Sequence, residues 1–152
     1  MQLTVLAVGR LRPIFRSAAD EYLRRLARYG KTAEVEVKQA GNASSPAEAR
    51  RIEGERLSAR IAPDTRVVVL DRGASAWSSE QVARRIEQWQ LGARPVALIL
   101  GGSHGLAPEL VTDAAERWGL GPLTLPHELA RVVVLEQLYR GCTILRGEPY
   151  HK

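Results

Sequence analysis

VALIL at residues 96–100, followed by GGSHGL at 101–106, is the stretch that decides the fold. Five consecutive apolar residues with no polar alternation form the pattern of a strand buried on both faces, as in parallel sheets covered by helices. Such a strand lies centrally. Gly101, Gly102 and Gly105 then allow a tight turn that brings backbone close to a ligand, and Ala107-Pro108-Glu109 puts a proline and an acid where a first helical turn prefers them. Open α/β sheets bind ligands beyond the carboxyl ends of their strands, so this turn predicts the wall of a pocket.

Working outward, the same alternation of strand and helix recurs. Residues 3–8 read as a strand, and Pro13 opens an amphipathic helix whose apolar stripe is Phe15, Ala18, Ala19, Tyr22, Leu23 and Leu26. Residues 33–38 alternate as a half-exposed strand, residues 41–46 form a Gly/Asn/Ser/Pro linker and the candidate mobile loop, and 47–61 read as a charge-dense helix. RVVVLD at 66–71 is a second buried-type strand whose tip points to the same ligand-binding edge. Ser78 with Gln81 forms a capping box, and Val82, Ile86 and Trp89 follow at helical spacing as core residues. The glycine- and proline-rich segment 119–126 leads into a short strand and then a helix over 127–141. That helix is apolar nearly all round, through Leu129, Val132, Val133, Val134, Leu135, Leu138 and Tyr139. An all-round apolar helix must be buried, and near the end of a small chain this predicts a homodimer joined through residues 132–139. The expected architecture is a single α/β domain, 1–152, with a parallel sheet covered on both faces.

Composition sets broader bounds. The 152 residues carry 22 Lys plus Arg against 17 Asp plus Glu, a net charge of +5 that suits a polyanionic partner and is equally an ordinary basic surface. The one cysteine, Cys142, excludes an internal disulfide and fits a reducing compartment; among apolar helix positions it reads as a buried, inert thiol. The opening MQLTVLAVGR lacks a basic n-region and reads as a first strand, and no stretch approaches a membrane span, so a cytoplasmic protein without membrane association is expected. No His/Cys cluster has ligand spacing for a metal.

Two segments carry candidate chemistry. GGSHG matches the G-x-S-x-G nucleophile elbow, with Ser103, Asp113 and His127 in the order Ser, Asp, His. A small serine hydrolase is therefore the alternative reading, against which stand the short chain and an aspartate only ten residues beyond the serine. The turn has neither the lysine of a P-loop nor a clean G-x-G-x-x-G, which favours close approach to an adenosine-like ligand over phosphate cradling. His127 is read as a helix-start residue, with a catalytic base as the sharper option. The second segment is the end of the chain: a phenol, an imidazole and an amine follow the rigid Pro149, an arrangement that predicts a specific docking place instead of a frayed terminus.

The pattern GG..GL, then LTLPHELARV..LEQLYR, then LRGEPYHK, with AVG near the start and VVLD..G in the middle, closely resembles the RlmH family, SPOUT-class methyltransferases that modify a pseudouridine in 23S ribosomal RNA. The resemblance spans essentially the whole chain and departs at Ser103-His104 and at residues 141–143. It implies an α/β fold with a C-terminal trefoil knot, which general topology rules would not have predicted. It also implies a homodimer, and as substrate 23S rRNA in the large subunit or the assembled ribosome. By matching motifs, an S-adenosylmethionine pocket is implied on Leu70, Gly101, Gly102, Gly121, Pro122, Leu123, Thr124, Leu125 and Pro126. Methylation at N3 of a pseudouridine requires loss of the N3 proton and in-line positioning, and needs no metal. Arg131, Tyr150 and His151 are the expected catalytic groups, His151 as proton acceptor, with Lys152 as a phosphate or ring contact.

Overall fold

The computed structural model describes residues 1–152 as five strands and five helices: β1 Gln2–Val8, α1 Pro13–Leu26, β2 Lys31–Val37, α2 Pro46–Ser58, β3 Arg66–Leu70, α3 Ser79–Leu91, β4 Val96–Leu100, α4 Pro108–Asp113, β5 Glu116–Trp118 and α5 His127–Arg146. The strands form one parallel sheet of order β2-β1-β4-β3-β5. VALIL is its middle strand and is buried throughout, with Val96 in register with Leu3 and Arg66, and Leu98 with Val5 and Val68. Its side chains alternate between two cores. Val96, Leu98 and Leu100 join the larger core with residues of α1, α3 and α5, whereas Ala97 and Ile99 join Leu57 of α2 on the other face.

Helix starts follow the sequence signals. Ser78 and Gln81 close the reciprocal capping box, and Val82, Ile86 and Trp89 are buried. At α2 the cap is Ser45, which accepts the Glu48 N–H, while the Glu48 carboxylate accepts from the Ser44 N–H at 2.7 Å and from the Ser44 hydroxyl. The linker 41–46 is thus tied to its helix at the 44–45 end.

Three expectations are corrected. The segment 119–126 contains no strand; the fifth strand is Glu116–Trp118, which pairs with the end of β3. Pro122 and Pro126 bracket Leu123-Thr124-Leu125 and cannot donate to a ladder, so its alternating pattern misleads. Helix α5 runs past residue 141 to Arg146 and stops at Gly147, whose φ of 63° is the left-handed C-cap conformation. The all-round apolar character of α5 is also largely satisfied inside the chain, because α1 and α3 flank it and the sheet lies beneath: Leu135, Leu138 and Tyr139 are buried without a second subunit. What remains outward is narrower, namely Leu129 and Leu145 with the half-buried Val132 and Val133.

Cys142 is 2% exposed, and burial pushes its thiol up to about 11. The reactive form is the thiolate. A disulfide reagent at about pH 8 is therefore expected to modify the folded protein at least about a hundredfold more slowly than protein unfolded in urea, limited by opening of α5. Immediate labelling of the folded protein would contradict this burial.

Candidate functional site

Strands β3 and β4 are neighbours, and the loops leaving their carboxyl ends enclose a cleft of about 690 Å³ with the segment 120–127. That volume suits a small-molecule site. Leu70, Gly101, Gly102, Gly121, Leu123, Thr124, Leu125 and Pro126 line it as the sequence predicts; Pro122 does not. The sequence did not single out Arg50, which arrives from α2, or Arg72, which follows β3 and hydrogen-bonds Thr124 Oγ1 at 2.9 Å. Strand-end position marks Arg72, but nothing local marks Arg50.

The first loop is folded back on itself. A Cβ on Gly101 would fall 2.6 Å from the carbonyl carbon and oxygen of Gly105, so only glycine permits that contact. Gly102 has a different reason from the one the sequence offers: its Cβ would point beneath the turn, 3.1 Å from Val8 Cγ1 and 3.5 Å from Glu53 Oε2. Glycine there lets the turn rest on the end of β1; it does not open room in the cleft. In the first loop the Gly105 N–H closes on the Gly102 carbonyl at 3.1 Å and the two glycines form an antiparallel bridge, while Ser103, His104, Leu123 and Thr124 stand exposed at the rim. Loops at the carboxyl ends of neighbouring parallel strands put backbone groups within reach of a small molecule held between them. Asp71 is the one acidic lining residue, and its carboxylate is engaged by the Gly73 N–H at 3.0 Å and by Arg117 at 3.8 Å.

The chain terminus is docked, although not at this cleft. Tyr150 donates its hydroxyl to Glu136 Oε1 at 3.0 Å, packs edge-on to Tyr139 at 4.7 Å and lies under the Arg140 guanidinium. His151 places Nε2 3.1 Å from Glu80 Oε1 and Nδ1 3.4 Å from Arg140. The Tyr29 hydroxyl donates to Glu148 at 2.6 Å and fixes the turn before Pro149. Burial, followed by hydrogen bonds with Tyr22 and Glu136, raises the Tyr150 pKa, so it is a phenol at neutral pH. Lys152 is exposed. None of the three terminal residues lines the cleft of its own chain.

Arg131 does not line it either. It is 2% exposed; one terminal nitrogen meets Glu36 at 2.7 Å and Glu34 at 3.1 Å, and the other donates to the Val8 and Gly9 carbonyls at 3.1 and 2.9 Å. With its terminal nitrogens occupied beneath the surface, Arg131 anchors α5 to β1 and β2. The hydrolase constellation also fails to assemble. Ser103 and His127 both line the cleft without bonding each other, while Asp113, at the end of α4, lies outside it. A fluorophosphonate probe is accordingly expected to leave Ser103 unlabelled; stoichiometric labelling would revive that reading.

Comparison with known proteins agrees with this geometry. The family described as "Predicted SPOUT methyltransferase" matches residues 1–151. "Ribosomal RNA large subunit methyltransferase H" of Anaeromyxobacter sp. (strain Fw109-5) is 47% identical over 153 residues, and its counterpart in Pseudomonas aeruginosa (strain LESB58) is 43% identical over 155, each with all of both chains covered. Among solved structures, a probable methylase family protein from Haemophilus influenzae Rd KW20 superposes with a TM-score of 0.57 at 12% identity, covering 99% of this chain and 70% of that one. A putative methylase family protein from Neisseria gonorrhoeae gives 0.54 at 13% identity, covering 91% and 81%. At such identities the structures speak for the fold alone. The match over nearly every residue and the full-length relatives carry the assignment, and the chain belongs to the SPOUT methyltransferase family.

Proposed function

We propose that this methyltransferase transfers the methyl group of S-adenosylmethionine to N3 of a pseudouridine in 23S rRNA. The observation that carries the reading is the cleft at adjacent strand ends, walled by Gly101 and Gly102 after β4, by Leu70 to Arg72 after β3 and by the segment 120–127. The sulfonium cofactor supplies an activated methyl group when bound; the chain's task is to hold, orient and remove a proton. Eight of the nine pocket residues expected from the family motifs line the cleft.

The tail supports the same reading through its docking. Glu80 and Arg140 hold the His151 imidazole from two sides, which places the ring; to accept the N3 proton it gives up the contact with Arg140, while Lys152 stays free for a phosphate or for the anionic ring. Because this docked tail lies apart from its own cleft, it serves the cleft of a second copy. The protein is on this reading a homodimer, joined along the outward side of α5 through Val132, Val133 and Leu129, with the C-terminal knot of the family closing each pocket. Light scattering at low micromolar concentration is expected to give twice the chain mass, and a stable, active monomer would refute the arrangement.

Two experiments test the assignment. Mass spectrometry of 23S rRNA from cells lacking the protein is expected to show an unmethylated pseudouridine; fully methylated rRNA would reject the substrate. In calorimetry, Gly102→Val overpacks against Val8 and lifts the turn into the cleft, at a cost of about 1–3 kcal/mol. Cofactor affinity is expected to fall about tenfold or more in a folded variant. Undiminished affinity would remove the turn from the pocket.

A further inference from the structure

The cleft carries more positive charge than its cofactor requires. Two arginines reach its lining from different elements, Arg50 from α2 and Arg72 from the segment after β3. Each touches a different loop through a neutral acceptor: Arg50 Nη1 lies 3.4 Å from the His104 carbonyl, and Arg72 Nη2 lies 2.9 Å from Thr124 Oγ1. Neither forms an ion pair, and of the arginines without one, which also include Arg10, Arg28, Arg56, Arg60, Arg84 and Arg146, only these two line the cleft. Asp71, the single acid of the lining, is already held by Gly73 and Arg117. Two full charges therefore stand at the cleft with most of their donors unspent. A cofactor with one carboxylate can answer at most one of the two.

We propose that Arg50 and Arg72 are positioning residues that grip the phosphodiester groups on either side of the target nucleotide, one from each loop. The proposal rests on the rRNA-methyltransferase reading above. RNA bases are read when splayed out of single-stranded loops, which leaves the flanking phosphates at the mouth of the pocket that receives the base. Phosphate contacts fix register without reading sequence, and the planar guanidinium suits bidentate grip of phosphate oxygens. The neutral contacts to His104 and Thr124 aim the guanidiniums and leave their charge uncompensated.

Each phosphate contact adds a defined increment to salt dependence, because binding releases condensed counterions. The experiment measures association of the full-length enzyme with ribosomes from cells lacking it, across roughly 50–200 mM KCl, alongside calorimetry with S-adenosylmethionine. Arg50→Gln and Arg72→Gln are each expected to flatten the slope of log K against log salt by about 0.7–0.9, and the double variant by about twice that. Arg50→Lys and Arg72→Lys should keep most of the slope, and in each glutamine variant the fold-loss of ribosome affinity at low salt should exceed any fold-loss of cofactor affinity. An unaltered slope in both glutamine variants, or a lysine variant as defective as its glutamine counterpart, would overturn the clamp. So would an approximately tenfold loss of cofactor affinity with the slope intact, which would assign these arginines to the cofactor carboxylate. If the unmodified protein binds neither cofactor nor ribosomes, the methyltransferase reading falls and takes the clamp with it; if it binds both while the variants keep its slope, the clamp falls alone.

Discussion

Removing Tyr150, His151 and Lys152 is expected to lower methyl transfer to ribosomes by about a hundredfold or more while cofactor affinity stays close to that of the full chain. A positioned proton acceptor contributes roughly 10²–10⁴ to a rate, and the truncated protein loses His151 together with the phenol and amine beside it. The cleft keeps every lining residue that its own chain supplies, since none of these comes from that chain's tail. Helix α5 should also survive, because its C-cap, Gly147, and the Tyr29–Glu148 hydrogen bond precede the deletion. A structural role for the tail would instead lower stability and cofactor affinity together.

Docking of the tail on its own α3 and α5 adds a stricter requirement. If each cleft receives the partner's tail, a truncated chain with an intact cleft and a Gly102→Val chain with an intact tail should complement one another. Co-expressed in equal amounts, half of the random dimers are mixed, each with one complete site, so about a quarter of full activity should return. Recovery well above either variant alone is the expected result. No recovery, in dimers shown to be mixed, would place the tail in its own chain's cleft and require it to leave Glu80 and Glu136 during turnover.

Local signals made much of the fold legible, and long-range ones did not. The unbroken apolar run at 96–100 gave a central strand because both of its faces pack on helices, and Ser78 with Gln81 gave a helix start because that bond pattern closes within four residues. Strand-end logic alone placed the cleft after β3 and β4. Leu123-Thr124-Leu125 shows the limit of alternation, since the flanking prolines and the sheet position taken by Glu116–Trp118 decide against a strand there. The apolar circumference of α5 was read correctly as a demand for burial; which surfaces met it depended on α1 and α3, whose approach no local pattern encodes. Arg131 is the clearest case, because its partners Glu34 and Glu36 lie 97 and 95 positions away and only the finished sheet brings them together. The family motif marks the arginine without saying what it does.

Replacing Arg131 by methionine should therefore act on stability before it acts on chemistry. The side chain is 2% exposed, and its loss strips a cation from Glu34, 8% exposed, and from Glu36, leaving both to Arg16, which meets them at 2.7 and 3.2 Å. It also leaves the Val8 and Gly9 carbonyls without the donors they now have at 3.1 and 2.9 Å. Methionine fills similar space and removes no carboxylate, so Glu34 and the partly exposed Glu36 keep only Arg16 between them, a situation that costs less than the roughly 3–5 kcal/mol of a fully buried, unpaired charge. Even so, the loss is an appreciable part of the stability of a single domain. The urea midpoint is expected to drop sharply with little change in the slope of the transition. The triple variant Arg131→Met, Glu34→Gln, Glu36→Gln should recover part of the loss, because it removes the uncompensated charges as well as their partner. Arg131→Lys separates this role from a catalytic one: a lysine keeps the charge but cannot hold two carboxylates and two carbonyls at once, so stability should fall part-way while turnover per folded molecule holds. A folded Arg131→Lys protein of unaltered urea midpoint whose kcat collapses would return Arg131 to the reacting centre and require Glu34 and Glu36 to release it.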